Sequence, residues 1–136
     1  MAGELSVSRL GQVAQAVTDL ARAIAFYRDT LGARHVATFD PPGLAFFDLG
    51  DTRIMLDAII AEHAGNGSAL YFAVDDLDAG VRDLEARGVT LEAAPHMISR
   101  DDQGVFGAVG TETWMAFFRD PDGNMLALMS ERGPSS

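Results

Sequence analysis

The chain states one pattern twice, and this internal repeat constrains its fold more than any other feature. Val17-Thr18-Asp19-Leu20 opens a segment that ends Phe26-Tyr27-Arg28-Asp29-Thr30-Leu31-Gly32. Val74-Asp75-Asp76-Leu77, 57 positions later, opens another that ends Asp83-Leu84-Glu85-Ala86-Arg87-Gly88. Downstream, Phe46-Phe47 before Asp51-Thr52-Arg53-Ile54-Met55-Leu56 is echoed by Phe117-Phe118 before Asp122-Gly123-Asn124-Met125-Leu126-Ala127-Leu128. Met55 and Ala127 are 72 positions apart, so the second copy carries an insertion between its landmarks. One supersecondary unit cannot bury its own apolar face, and two copies normally pack about a pseudo-twofold axis. The expectation is a central cleft lined by equivalent positions of both copies.

Hydropathy patterning assigns elements within each copy. Leu10 to Val17 reads as a strand, and Asp19 stands where a helix N-cap belongs. Leu20, Ala23, Ile24, Tyr27 and Leu31 recur at helical spacing until Gly32, a C-terminal stop. Strands follow near His35–Phe39, Leu44–Leu49 and Arg53–Asp57. Residues 61–67 read as a polar linker. The second copy repeats the order: a strand near Ala69–Val74, a helix capped by Asp76 and stopped by Gly88, then strands near Leu91–Ile98, Thr113–Phe118 and Met125–Met129. The insertion falls at Ser99–Gly110, whose glycines suggest a loop able to open and close. Met1–Ser8 reads as a loose arm and Gly133–Ser136 as a frayed tail. The predicted class is α+β, two tandem βαβββ modules over residues 9–60 and 68–131 that together make one domain.

Composition narrows the functional classes. Net charge is −10, from 20 acidic and 10 basic side chains, and no Lys/Arg cluster offsets it. Such a field repels phosphate backbones, so no nucleic-acid partner is expected. No apolar run approaches the roughly 20 residues of a membrane helix, and no signal segment opens the chain, so the expectation is a cytoplasmic protein without a membrane partner. With no cysteine, disulfides and thiolate chemistry are excluded.

The paired modules resemble the vicinal oxygen chelate superfamily, which includes glyoxalases, bleomycin-resistance proteins and extradiol dioxygenases. The resemblance rests on Val17-x-Asp19-Leu20, Ala23-Ile24-x-Phe26-Tyr27 with Leu31-Gly32, and Val74-Asp75-Asp76-Leu77. Phe118-Arg119-Asp120-Pro121-Asp122-Gly123-Asn124-Met125-Leu126 is its most specific part. It implies a fold, while the superfamily hosts unrelated activities on that fold. It further implies that metal-using relatives draw one ligand from the first and last strand of each copy. Here those positions hold Gln12, Met55, Ala69 and Ala127. Methionine and alanine offer a hard or borderline divalent ion nothing to bind, so neither metal nor other cofactor is expected.

Alternation puts Gln12, Ala14 and Ala16 on one strand face; by the same rule Arg53, Met55 and Asp57, Ala69, Tyr71 and Ala73, and Met125, Ala127 and Met129 share theirs. A cup of small and adaptable side chains with few polar groups has the character of a small-molecule site. The expected ligand contacts are Gln12, Arg53, Met55, Ala69, Tyr71, Trp114 and Ala127. Arg53 is suited to a carboxylate or phenolate, or else pairs with Asp57 or Asp51. His96 is the one candidate for acid–base work near neutral pH. Glu112 and Asp101-Asp102 flank the insertion, and with His96 they form a candidate for a metal site of another kind.

Three functional readings follow. The first is a metal-independent small-molecule binding protein of the glyoxalase/bleomycin-resistance type that sequesters an apolar or aromatic ligand in the cup. The alternative is an isomerase, epimerase or lyase of the same superfamily that uses His96 without the usual metal. The third is a structural module whose cup is filled by its own side chains. A homodimer is expected, because relatives with two copies per chain commonly pair and twofold pairing is the commonest oligomer.

Overall fold

Two aspartates set the helices, and they do so alike. Asp19, with φ −129° and ψ 102°, accepts the Arg22 backbone N–H on Oδ1 at 3.1 Å. Asp76, with φ −128° and ψ 102°, accepts the Ala79 N–H at 3.1 Å. Each extended residue satisfies a backbone donor that a helix start leaves without a partner. The computed structural model describes residues 5–133 and divides into two compact units, one through His63 and one from Ala64. The outer ends of the expected arm and tail, residues 1–4 and 134–136, lie outside the described residues.

The first unit runs β1 (Gln12–Ala16), α1 (Leu20–Ala25), β2 (Arg34–Phe39), β3 (Leu44–Asp48) and β4 (Arg53–Asp57). Its sheet order is β1-β4-β3-β2, with β1 parallel to β4 and the other pairs antiparallel. The second unit repeats this with β5 (Leu70–Ala73), α2 (Leu77–Ala86), β6 (Ala93–Arg100), β7 (Glu112–Arg119) and β8 (Met125–Arg132), ordered β5-β8-β7-β6. Again only the pair from either side of the helix, β5 and β8, is parallel. The fold is α+β, two tandem βαβββ modules.

Each helix covers one sheet face, and the alternating residues beneath it form the core. In the first unit these are Ile54, Leu56, Ala45 and Phe47, at most 1 % exposed, beside Ala23 and Tyr27 of the helical segment. Gln15 is also on this face; its amide donates to the Tyr27 hydroxyl at 3.3 Å, which gives a buried polar side chain a partner. In the second unit Leu77, Val81 and Leu84 of α2 are buried, as are Phe118, Leu126 and Leu128 of the sheet. Burying each large side chain is worth about 1.5–3 kcal/mol. Gly80 allows α2 to approach closely, since a Cβ there would lie 3.0 Å from Leu128 Cδ1.

Three local expectations change. The first helix does not keep its pitch to Leu31: beyond α1, Phe26–Thr30 forms a wider π turn in which Leu31 N–H reaches the Phe26 carbonyl at 3.0 Å. The linker is not a plain polar spacer either. Ala61–His63 makes a single 3-10 turn, and Gly65 N–H is fixed to Asn124 Oδ1 at 2.9 Å. Finally, β6 continues through Arg100, two residues into the expected insertion. The turn from Asp120 to Asn124 is a hairpin turn as read: the buried Asp120 carboxylate accepts the Asp122 and Asn124 N–H groups on Oδ1, each at 2.9 Å.

Candidate functional site

Opposite its helix, each sheet has a second face that carries the remaining alternate residues. On the first sheet strand register aligns them in rows. Gln12 pairs with Arg53 and Arg53 with Asp48; Ala14 pairs with Met55 and Met55 with Phe46; Ala16 pairs with Asp57 and Asp57 with Leu44. Gln12 Nε2 lies 3.7 Å from Met55 Sδ, a weak contact between neighbours on this face. Arg53 is exposed, and it forms neither of the ion pairs considered for it. Asp57 instead accepts the Ile59 N–H at 2.9 Å. Phe39 and Phe46 pack edge to face on the same side, ring centroids 5.9 Å apart.

The second sheet has a matching but more aromatic face. Tyr71 pairs with Ala127 and Ala127 with Phe117; Ala73 pairs with Met129, Met129 with Met115, and Met115 with His96. The Tyr71 and Phe117 rings lean together across Ala127, centroids 6.3 Å apart and nearly perpendicular. Ala127 is fully buried and Tyr71 half exposed. Ala69 stands one residue before β5 and two before Tyr71, on Tyr71's side by alternation. The His96 ring is 6.2 Å from that of Phe117. Its Nδ1 is 2.7 Å from the Ala94 carbonyl oxygen. A carbonyl only accepts, so Nδ1 carries the proton, and the lone pair of the neutral ring is on Nε2.

Register separates Trp114 from this group. It alternates with Met115 and Phe117, so its side chain lies on the helix face with Ala116 and Phe118. There its Nε1–H donates to Glu112 Oε1 at 2.9 Å, and the Arg132 guanidinium stacks 3.9 Å above its ring. Glu112 is buried on the same face and is also held by Arg100 at 2.8 Å, so its carboxylate is turned away from His96. This removes the candidate metal group at the insertion, and among the described residues no three His, Cys, Asp or Glu side chains gather into one. At the four positions used by metal-binding relatives, Gln12 alone has an oxygen donor, its amide nitrogen is turned to Met55, and Ala127 is buried under aromatic rings. That donor set does not fit a divalent ion.

The insertion is an organised loop. The Asp101 carboxylate accepts N–H groups from Val105 at 2.7 Å, Phe106 at 2.8 Å and Gly107 at 3.2 Å. The bond from Phe106 foremost, and then that from Val105, hold the carboxyl below its usual pKa, with burial acting in the opposite sense. Asp101 N–H donates to Thr111 O and its carbonyl accepts from Gly110 N–H, both at 2.8 Å, which closes the loop's base. The loop presents Val105 and Phe106 to solvent, 70 % and 88 % exposed.

Sequence reasoning missed Phe46 and Phe117, although the repeat held the signal. In each Phe-Phe pair the second ring, Phe47 or Phe118, is fully buried on the helix face, which leaves the first for the other side.

Duplicated βαβββ modules, each with one sheet face under a helix and a second face opposite it, define a fold that hosts different chemistries according to what those second faces carry. The sequence model of the Glyoxalase/Bleomycin resistance protein/Dioxygenase superfamily matches residues 9–128, and the chain belongs to that superfamily. It is 32% identical over 133 residues to the uncharacterized protein YraH of Bacillus subtilis, covering 88% of this chain and 96% of that one. To the mitochondrial methylmalonyl-CoA epimerase of Mus musculus it is 29% identical over 137 residues, covering 90% of this chain and 72% of that protein. Among solved structures, TnmS3, an antibiotic binding protein from Streptomyces sp. CB03234, matches with a TM-score of 0.72 at 24% identity, over 97% of this chain and all of that one. Among the described residues no helix is long and apolar enough to cross a membrane.

Proposed function

We propose that the protein is a metal-independent small-molecule binding protein that sequesters an apolar or aromatic ligand on the second face of a sheet. The observation that carries this reading is the Tyr71–Phe117 pair over Ala127, with Tyr71 half exposed on a sheet face that its own helix leaves bare. Two rings set edge to face offer a planar ligand both a π surface and an edge. Met115 and Met129 beside them adapt to its outline. Ala69 adds to this second-sheet group; on the first sheet, taken by itself, the exposed Arg53 suits a carboxylate or phenolate beside Gln12 and Met55 of the same face. Trp114, on the helix face, is left out. The likeness to TnmS3, an antibiotic binding protein, supports the same class.

Native mass spectrometry of protein purified from its own source is expected to show one small molecule retained per chain, and Phe117→Ala to lose it. Elemental analysis of the same sample should find no stoichiometric transition metal. A preparation free of any bound organic mass, whose Tyr71 and Phe117 resonances respond to no member of an aromatic ligand set, would remove this reading.

His96 supports a second reading, an isomerase, epimerase or lyase. With Nδ1 held by the Ala94 carbonyl, Nε2 is the position left for proton transfer. The relative named methylmalonyl-CoA epimerase is an enzyme of this class. Turnover of a bound compound that follows one protonation step and vanishes in His96→Ala would favour it over simple sequestration.

The proposal includes a homodimer. Light scattering at micromolar concentration is expected to give twice the 14.5 kDa chain mass; a value of one chain mass refutes this part alone.

A further inference from the structure

Residues 64–69 join the 3-10 turn to β5, and they contain one of the chain's two asparagines. The fold treats the two oppositely. Asn124 is 2 % exposed, and each of its polar groups is held. Its Nδ2 donates to Asp120 Oδ2 at 2.8 Å, its N–H donates to Asp120 Oδ1 at 2.9 Å, and its Oδ1 accepts the Gly65 N–H at 2.9 Å. Asn66 is exposed, and neither its side-chain amide nor the Gly67 N–H has a hydrogen-bond partner among the described residues.

The residue after each asparagine differs as well. Asn124 is followed by Met125, whereas Asn66 is followed by Gly67, which has no Cβ to shield its main-chain nitrogen. A Cβ placed on Gly67 would meet no atom within 4 Å, so the space around it is open. Asp122-Gly123, the one Asp-Gly pair, shows the protected case: Gly123 N–H donates to the Asp120 carbonyl at 3.0 Å.

We propose that Asn66 is a modification site at which the side-chain amide is exchanged for a carboxylate through attack by the chain's own backbone. Hydroxide takes the Gly67 amide proton, and the nitrogen adds to Asn66 Cγ to close a five-membered imide. The Cγ–Nδ2 bond breaks, and the leaving nitrogen takes up protons from water and departs as ammonia. Water then opens the ring. Attack at Cγ returns the normal main chain with aspartate at the position; attack at the main-chain carbonyl leaves isoaspartate, whose chain runs through Cβ and Cγ. The sum is water consumed and ammonia released, with no oxidation or reduction. Both products add one negative charge.

The isoaspartate form also lengthens the main chain by one carbon, between two fixed points. Gly65, at φ +83°, is tied to Asn124, and β5 starts at Leu70 on the sheet edge with β8 as its one neighbour. The Gly65–Asn124 bond is adjacent to the change and is the one it loosens. This site is independent of the ligand-binding reading.

The test is incubation of the full chain in mildly alkaline buffer, folded and in urea, followed by ion-exchange chromatography and peptide mapping by mass spectrometry. The folded chain is expected to lose Asn66 at a rate close to that of the unfolded chain, giving isoaspartate and aspartate together in a more acidic species. Asn124 should react only in urea. Asn66→Gln should abolish the acidic species and Gly67→Ala should slow its appearance severalfold. Both positions are exposed and Gly67 does not have a positive φ, so neither variant endangers folding. In the isolated isoaspartate form the Gly65 amide should exchange faster than in the unaltered chain. Retention of Asn66 in the folded chain while the unfolded chain loses it overturns the proposal. So does aspartate formed without isoaspartate, a rate indifferent to Gly67→Ala, or loss of Asn124 ahead of Asn66 in the folded chain. An unchanged Gly65 amide overturns the loosening of its bond to Asn124 alone.

Discussion

Phe118→Ala is expected to destabilise the protein by about 3–5 kcal/mol, the cost of removing a large buried aromatic ring and leaving a cavity. Phe118 is fully buried on the helix face of β7, and its sheet partner Leu126 is equally buried. With domain stabilities of about 5–15 kcal/mol, this loss lowers the melting temperature by roughly 10 °C or more. Its neighbour provides the control. Phe117 points to the other face and is only part-buried, so Phe117→Ala should cost far less stability while removing one of the two rings proposed to hold the ligand. Thermal melts followed by circular dichroism on both variants decide this. If Phe117→Ala proves as destabilising as Phe118→Ala, the Tyr71–Phe117 pair is core and the third reading, a module filled by its own side chains, gains.

Acid should loosen the insertion loop before the sheets. Because hydrogen bonds from Phe106 and Val105 lower the Asp101 pKa in the folded chain, the carboxylate contributes loop stability that is fully present above the ordinary carboxylate pKa. That contribution is lost as pH falls through the lowered folded value. The expected result is that protection of the Val105, Phe106 and Gly107 amides, taken relative to their intrinsic exchange rates at each pH, is high near neutrality and falls in acid, while β7 stays protected. Asp101→Ala should show the low protection at every pH with little change in the melting temperature. Equal protection of these three amides in Asp101→Ala and the unaltered protein would mean that the Thr111 and Gly110 bonds alone hold the loop.

Much of the fold was legible because its determinants are local. A capping aspartate acts within three residues, a strand's two faces follow from period-2 alternation, and the repeat supplied a second reading of each signal. Thus Asp19 and Asp76 were placed as caps, and Gln12 with Ala14, Arg53 with Met55, and Tyr71 with Ala73 were assigned to common faces, as the register has them.

The candidate site was legible only in part, because which residues join it is a matter of pairing between strands. Trp114 was grouped with Tyr71 and His96 although its parity on β7 opposes them. That parity has meaning only once Phe117 is known to lie beside Ala127, and the hairpin from Asp120 to Asn124 sets that register through hydrogen bonds of the buried Asp120. The loop is a similar case. Its glycines indicated freedom, and composition alone could not show that one carboxylate would collect three of its N–H groups. Arg53 is left without an ion pair among the described residues, and Arg100 is taken by Glu112, because of distances between strands far apart in the chain. Short-range rules operate on chain neighbours and are readable in order; a side chain's partner across a sheet is fixed by register and burial, which arise only when the whole module folds.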